Sequence, residues 1–275
     1  MGGGTAGIGQ TPPIRGLCGP ATGSNIELTT PIRHNIVESM LPASASLQAL
    51  EQLRRYDSCT LSNAMERLGM RPRNEGFMDG SIVCRFPHLP PAAGYAVTGR
   101  IRTYAEPVEG HCYYEHLGWW HYLETIPEPR VVVLQDVDER PGFGALFGEV
   151  HARICRALGC VGYVTNGAVR DLDAIEALGY QLFAGSVSVS HAYAHVVDFG
   201  GPVEVGGLRV APGDLLFGDR HGVLSLPVAA VSRLPDLAEQ VLAEERELFK
   251  LCGSQKFSID ALARQIQAMA RRQRC

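Results

Sequence analysis

The sequence feature that most constrains the fold is an alternation of strand-like and helix-like segments in the middle of the chain. Apolar runs that contain several valines predict buried strands at 130–134 and 160–165, and a further strand is predicted at 181–184. Apolar side chains four residues apart predict a helix over about 145–158, and a shorter helix is predicted at 171–178. Strands that alternate with helices in this way predict a parallel sheet with right-handed connections.

The segments on either side of this unit complete the predicted fold. The flanking elements are a helix through Leu47, Leu50 and Leu53, a helix from the possible N-cap Thr60 to Gly69, a loop-like segment at 71–94, a strand at 95–104, a helix at 116–126 and a long helix at about 228–251. Short apolar runs predict strands at 194–197, 203–205, 208–210 and 223–226. Turns are predicted at Asn166-Gly167 and Gly206-Gly207.

This order of elements predicts an α/β fold with a mixed sheet, a β-rich second half and a C-terminal helix. Residues 1–46 are rich in Gly, Pro, Ser and Thr and show no sustained period, which predicts a flexible leader. We expect the α/β domain to span 47–252 and a C-terminal helical tail to span 253–275. The chain contains 31 Gly and 17 Pro residues, an excess that favours a turn-rich structure.

Composition and charge exclude several classes of function. The 25 Lys and Arg against 29 Asp and Glu give a net charge of −4, which argues against a nucleic-acid partner. No window of 18 apolar residues occurs, so no membrane span is expected. The eight cysteines form no CxxC pair, and the chain starts without a secretory signal pattern. We therefore expect free thiols in a reducing cytoplasm.

The residues most suggestive of chemistry are Glu149 and, after a further twenty positions, the pair Arg170-Asp171. The pair follows a predicted strand, and ligands bind at the carboxyl ends of parallel strands. The fork of Arg170 suits a carboxylate, and Asp171 offers a hard oxygen to Mg²⁺ or Mn²⁺. Glu149 starts its predicted helix, where the backbone N–H groups of Val150 and His151 suit a substrate carboxylate.

A purely structural interpretation of the same residues stays open at this point. In it, Asp171 caps the helix that follows, and Arg170 pairs with Asp171 or with Asp173. Arg-Asp dipeptides are common, so the spacing alone does not decide between the two interpretations.

Three longer segments together resemble the RraA-like family. They are RRYDSCTLSNAMERLG, GEVHARICRALGCVGYVTNGAVRDLDAIEALGYQLFAGSVSVS and PVEVGGLRVAPGDLLFGDRHGVLSLP, within a resemblance that spans about Leu47 to Leu248. The resemblance implies a layered α/β/α domain of the swivelling type. It also implies assembly as a trimer or a pair of trimers, with sites at subunit boundaries.

The family contains two classes of protein with different functions. One comprises metal-dependent 4-hydroxy-4-methyl-2-oxoglutarate aldolases, which also decarboxylate oxaloacetate to pyruvate through a metal-stabilised enolate. The other comprises non-catalytic regulators that bind a ribonuclease, and these lack the aspartate that corresponds to Asp171. The intact Arg170-Asp171 pair favours the enzyme, whereas a methyltransferase function finds no glycine-rich loop after a strand.

The resemblance assigns a role to each candidate residue. Arg170 corresponds to the arginine that binds the substrate carboxylate, and Asp171 to the aspartate that holds Mg²⁺ or Mn²⁺. Glu149 corresponds to an acid, often Asp in the aldolases, that handles a water proton. Val150 and His151 correspond to positions whose backbone amides contact the substrate, a small 2-oxo acid.

Other polar and aromatic residues receive weaker functional predictions. His191 and His195 are expected on one strand about 13 Å apart, too far for joint metal binding, although one of them can line a substrate pocket. Asp219 and His221 are expected to shape a turn. The side chains of Trp119, Trp120 and Tyr122 are expected to pack or to contact another subunit, with lining of a substrate pocket as the alternative.

Overall fold

A computed structural model describes residues 45–107 and 117–272 of the chain. The predicted flexible leader, 1–46, lies outside the described residues except for Ala45 and Ser46. No helix in the described ranges is both long and apolar enough to cross a membrane.

The described residues form ten strands, seven α-helices and a short 3₁₀ helix at Val228–Ala230. The helices are α1 (Leu47–Leu53), α2 (Ser58–Leu68), α3 (Leu117–Thr125), α4 (Glu149–Ala157), α5 (Leu172–Ala177), α6 (Leu234–Cys252) and α7 (Ile259–Arg272). The strands are β1 (Val83–Cys84), β2 (Ala92–Arg102), β3 (Arg130–Asp136), β4 (Cys160–Val169), β5 (Gln181–Val187), β6 (His195–Phe199), β7 (Val203–Val205), β8 (Leu208–Val210), β9 (Leu215–Asp219) and β10 (Gly222–Leu226).

Eight strands form one mixed sheet, which confirms the predicted α/β class. Its order is β1-β5-β4-β3-β2-β9-β10, and β6 also pairs with β2. Strands β2 to β5 are parallel to one another, whereas β1, β6, β9 and β10 pair antiparallel. Strands β7 and β8 form a separate hairpin around Gly206-Gly207, as predicted. The parallel strands bring several carboxyl ends to one edge of the sheet.

Alternating side chains of β3 enter two different cores, one on each face of the sheet. Val132 and Leu134 join the core that includes buried residues of α1 to α6. Val131 and Val133 join a second core, which the β7–β8 hairpin and the segment around Ile82 cover. A strand buried on both faces has the continuous apolar sequence seen at 130–134.

The ends of several predicted elements were wrong. Helix α2 begins two residues before Thr60, since the carboxylate of Asp57 is the N-cap and accepts from the N–H of Thr60 at 2.7 Å. Strand β2 covers 92–102 rather than 95–104, and the segment 71–94 also contains β1. The predicted helix at 228–251 is divided, because α6 starts only at Leu234 with a proline in its first turn.

The predicted turn at Asn166-Gly167 was also wrong, because β4 continues through these two residues with a shift in register. The Asn166 side chain explains the continuity. Its Oδ1 accepts from the backbone N–H of Asp136 at 2.7 Å, and its Nδ2 donates to the carbonyl of Asp136 at 2.9 Å. The amide thus replaces the backbone groups that the bulge removes from the ladder.

The predicted helix at 145–158 begins later than its periodicity indicates. Residues 145–147 are buried but not helical, and Phe147 forms a parallel bridge with Val169 instead. The helix α4 starts only after its N-cap Gly148. This extended pairing places the first turn of α4 directly beside the end of β4.

The close approach of β2 to the chain before β3 predicts that Gly94 is sensitive to substitution. A Cβ at this buried position lies 2.6 Å from the Pro129 carbonyl oxygen, a rigid backbone atom. We expect Gly94→Ala to lower the free energy of unfolding by about 1–3 kcal/mol in urea denaturation. The control Gly80→Ala adds a Cβ with no atom within 4 Å and is expected to change stability by less than about 0.5 kcal/mol. Equal stability of the two variants contradicts the predicted crowding.

Candidate active site

The N-terminus of α4 contacts the residues that follow β4. The carbonyl of Phe147 accepts from the backbone N–H of Arg170 at 3.1 Å, and the N–H of Glu149 donates to Oδ2 of Asp171 at 3.0 Å. Gly148, which lies between Phe147 and Glu149 in the sequence, has no room for a side chain, since a Cβ there lies 2.5 Å from Asp171 Oδ2. The structure therefore brings together Glu149 and the Arg170-Asp171 pair, which twenty residues separate in the sequence.

Asp171 occupies the N-cap position of α5 without capping it. Its backbone is left-handed, with φ 55° and ψ 41°, and its side chain makes no capping bond to α5. Aspartate tolerates this conformation better than most residues. The carboxylate instead bonds α4 through Oδ2, while 40% of the side chain stays exposed. The capping role in the structural interpretation is thus not the one that Asp171 performs.

Arg170 lies next to this carboxylate in a partly buried position. Its Nε is 3.5 Å from Asp171 Oδ2, and 29% of its side chain is exposed. The same Nε is itself buried, and it makes no hydrogen bond within the described part of the chain. The pairing of Arg170 with Asp171 that the structural interpretation expects is therefore present, with a distance of 3.5 Å that is long for an ion pair.

The carboxylate of Glu149 has a partner that the sequence analysis missed. Both Nε and one terminal nitrogen of Arg153 contact its Oε1, at 2.8 and 2.7 Å. The Glu–Arg spacing of four residues on a helix is the signal that predicts such a pair. Arg153 thus holds the Glu149 side chain along the surface of α4.

His151 is the third residue of α4, and its side chain is almost fully buried. Its ring lies 5.6 Å from that of Trp120 and 6.2 Å from that of Phe147, measured between centroids. Burial, and secondarily the nearby positive charge of Arg170, lowers the pKa of His151 to about 4. The imidazole is therefore neutral at neutral pH.

The other substrate-contact candidate, Val150, is the second residue of α4. Its side chain is half exposed, unlike that of His151. Both residues belong to the first turn, in which the backbone N–H groups point toward the N-terminal end of a helix. Their side chains thus face different surroundings, although their amides lie in the same turn beside Arg170-Asp171.

A buried carboxyl group below the site fixes the loop that leads to α4. Asp136, the last residue of β3, accepts from the N–H of Gly142 at 2.8 Å and from that of Asp138 at 3.1 Å. Burial is the main cause that raises its pKa. The sequence analysis noted Asp136 only as the end of a strand, because an isolated aspartate there carries no motif.

The remaining candidates lie in other surroundings. His191 is exposed in a turn and His195 begins β6, with Ala192 at φ 47° between them, so the single strand predicted for this segment was wrong. Asp219 accepts from the N–H and the hydroxyl of Ser58 at 2.7 and 2.8 Å, at the start of α2. It also accepts from the N–H of His221 at 2.8 Å.

The aromatic residues of α3 form a packed cluster with β6. Trp119 is buried, and its ring lies 5.9 Å from that of Phe199. The ring of Tyr122 stacks on Phe199 at 5.3 Å. These contacts correspond to the packing role expected from the sequence, and Trp120 is the member that reaches His151.

No ready-made cluster of metal ligands is visible within 45–107 and 117–272. Among those residues, no three His, Cys, Asp or Glu side chains are grouped so that they can hold a metal ion. Asp171 is the carboxylate at the site that is exposed and not held by an arginine fork.

Comparisons with known proteins agree with this fold. The chain is 28% identical over 102 residues to a protein of Halalkalibacterium halodurans named "Putative 4-hydroxy-4-methyl-2-oxoglutarate aldolase". That match covers 37% of this chain and 49% of the relative, so the chain spans about half the length of this curated protein.

Two solved structures share the fold at low sequence identity. An uncharacterised protein from Pseudomonas syringae pv. tomato superposes with a TM-score of 0.62 at 21% identity, over 82% of this chain and 96% of that protein. Streptomyces coelicolor RraAS2, described as an unusual member of the RNase ES inhibitor RraA family, gives 0.57 at 21% identity, over 76% and 98%.

The chain also matches a family model. The RraA-like model, described as Aldolase/RraA, matches residues 58–225 and so includes α2 to α5, the whole mixed sheet except the last residue of β10, and the site described above. Since this match covers more than half of the chain, the protein belongs to the RraA-like family.

Proposed function

We propose that this protein is a divalent-metal-dependent lyase that cleaves a 2-oxo acid to give pyruvate. The reaction is the retro-aldol cleavage of a 4-hydroxy-2-oxo acid, the decarboxylation of oxaloacetate, or both. The observation that carries the proposal is the bond between the Glu149 N–H and Asp171, which joins a helix N-terminus to the Arg170-Asp171 pair. The relative named as an aldolase supports the same reaction class.

In this proposal, Arg170 and the first turn of α4 bind the carboxylate of the substrate. Arg170 supplies a charged fork, and the backbone amides of Val150 and His151 supply donors beside the positive end of the helix dipole. A neutral His151 adds no second positive charge that repels the guanidinium of Arg170. The arrangement suits a planar, singly charged carboxylate better than a bulky neutral group.

The residues present fit a divalent ion held mainly by oxygen atoms that are not the protein's own. Asp171 is exposed at 40% and offers a hard carboxylate oxygen. Mg²⁺ commonly binds through one or two carboxylates and keeps several waters, which agrees with the single suitable carboxylate at the site. When bound, such an ion supplies Lewis-acid stabilisation of negative charge on the 2-oxo oxygen.

Glu149 is the residue that we assign to proton transfer. In the retro-aldol reaction, the 4-hydroxyl group loses a proton as the C3–C4 bond breaks, and the electron pair of that bond becomes the enolate of pyruvate. Decarboxylation gives the same enolate with CO₂ as the leaving group, and a proton added at C3 completes pyruvate. Glu149 performs these transfers directly or through water. Its contact with Arg153 must open, or a water must bridge to the substrate, for this role.

We also propose that the protein assembles as a homotrimer or a hexamer, as the family resemblance implies. The non-catalytic regulator remains the alternative function, and no contact within the site favours it. Metal-dependent turnover separates the two functions, because a regulator that only binds a ribonuclease produces no pyruvate from either substrate.

Replacement of the proposed metal ligand tests the lyase directly. We expect Asp171→Asn to reduce pyruvate formation from oxaloacetate with Mg²⁺ or Mn²⁺ by about 100-fold or more, since several kcal/mol of charge stabilisation is lost. The matched control is Asp173→Asn, which changes an exposed aspartate in the first turn of the same helix. Full activity in Asp171→Asn, or no turnover above background in the wild type, contradicts the proposal.

The role of Arg170 predicts a loss of substrate binding. We expect Arg170→Gln to lower kcat/KM by about 30-fold or more, because a hydrogen-bonded charge partner of the carboxylate is removed. The control Arg140→Gln removes an exposed arginine from the loop before α4 and is expected to leave kcat/KM unchanged. If both variants keep wild-type kinetics in steady-state assays, the carboxylate binds elsewhere.

The buried imidazole predicts a pH dependence of stability. Because the folded-state pKa of His151 is about 4 rather than 6.5, the unfolded chain takes up a proton at a pH where the folded protein does not. The contribution of His151 to the free energy of unfolding is thus complete above pH 6.5. Up to about 3 kcal/mol of it is lost as the pH falls toward 4. In urea denaturation, the stability of the wild type should fall relative to that of His151→Leu as the pH falls from 6.5 toward 4. Parallel curves contradict the assignment.

A further inference from the structure

The C-terminal helix α7 lies outside the residues matched by the family model, 58–225. It packs against α6 through one side, on which Gln265 Nε2 donates to Glu247 Oε2 at 3.1 Å. Ala261 and Ala268 are half-buried on this same side. Leu262 and Met269 are half-buried as well, whereas Ile259, Ala263 and Ile266 are exposed, so part of the apolar surface of α7 stays uncovered.

The outward side of α7 carries an apolar stripe, defined here as Ile259, Ala263, Ile266 and Ala270. The intervals of four, three and four residues align these side chains along one face of a helix. Ile259 is 73% exposed and Ile266 is 52% exposed. Ala263 is exposed as well, and Ala270 is half-buried at the end of the stripe. Large apolar side chains repeated along one exposed helix face are typical of a surface that binds another protein surface.

We propose that the stripe pairs with the same stripe of a second copy of this chain, with the two helices antiparallel. In an antiparallel pair centred between residues 264 and 265, Ile259 faces Ala270 of the second copy and Ala263 faces Ile266. Every isoleucine then meets an alanine, so large and small side chains interdigitate. A parallel pair opposes isoleucine with isoleucine and leaves gaps between the alanines.

The charges beside the stripe select the same orientation. Asp260 and Arg271 lie on one flank of α7, about 20° apart around the helix axis. Equal flanks face each other in an antiparallel pair, so each Asp260 comes near an Arg271 of the other copy at both ends. In a parallel pair each flank faces the opposite flank of the other copy, so Asp260 and Arg271 do not meet. Exposed ion pairs contribute little to affinity, so these charges set orientation more than affinity.

The size of the helix limits the strength of this contact. A 14-residue helix is about 21 Å long and cannot alone bury the 1,200–2,000 Å² that is usual in stable complexes. We therefore expect an association that depends on protein concentration and that links copies independently of the catalytic site.

Sedimentation velocity of the full chain over a range of concentrations tests the proposal. Ile266→Glu places two charges inside the pair and is expected to halve the mass of the largest species. The control Gln255→Glu adds the same charge at an exposed position before α7 and is expected to leave that mass unchanged. Equal masses for wild type and Ile266→Glu at every concentration overturn the proposal and assign the stripe to another occupant.

Charge exchange tests the orientation without altering the apolar stripe. Asp260→Arg and Arg271→Asp are each expected to weaken the association, and the double variant is expected to restore it. Failure of the double variant to restore it overturns the antiparallel pairing. Circular dichroism of each variant verifies that α7 remains helical, and lyase activity is expected to be unchanged in all of them, so this test does not depend on the proposed reaction.

Discussion

The site depends on the close approach of the first turn of α4 to the end of β4. The bridge between Phe147 and Val169 aligns the two segments. Gly148 allows their close approach because it has no Cβ. Without this approach, the N–H of Glu149 does not reach the Asp171 carboxylate. The geometry therefore comes from backbone packing, and the charged side chains occupy positions that the backbone has already set.

Much of the fold was predictable because its central strands are buried on both faces. Valine-containing apolar runs identified β3 and β4, the segment 181–184 identified β5, and their alternation with helices predicted the parallel order. One of the errors arose where a side chain replaced a backbone partner. Asn166 supports a bulge in a position at which Asn-Gly usually turns, and this bond depends on the neighbouring strand. The sequence around Asn166 does not show which strand lies beside it.

The residues of the candidate site were predictable, but their conformation and burial were not. The position of Arg170-Asp171 after a buried strand, together with the spacing from Glu149, placed these residues at one edge of the sheet. The left-handed backbone of Asp171 and the burial of His151 were not predictable, because both follow from how α4, α5 and α3 pack together. The pair Glu149–Arg153 was visible as a helix spacing, but its relevance to a site appears only in three dimensions.

One oxygen atom, Asp171 Oδ2, serves as a hydrogen-bond acceptor for the start of α4 and lies within an ion-pair distance of Arg170. A ligand that draws this carboxylate outward thus competes with an internal bond of the protein. Occupancy of the site and the order of the first turn of α4 are then thermodynamically linked. Such linkage makes the N-terminal end of this helix an intrinsic reporter of ligand binding, detectable by hydrogen exchange at the amide of Glu149.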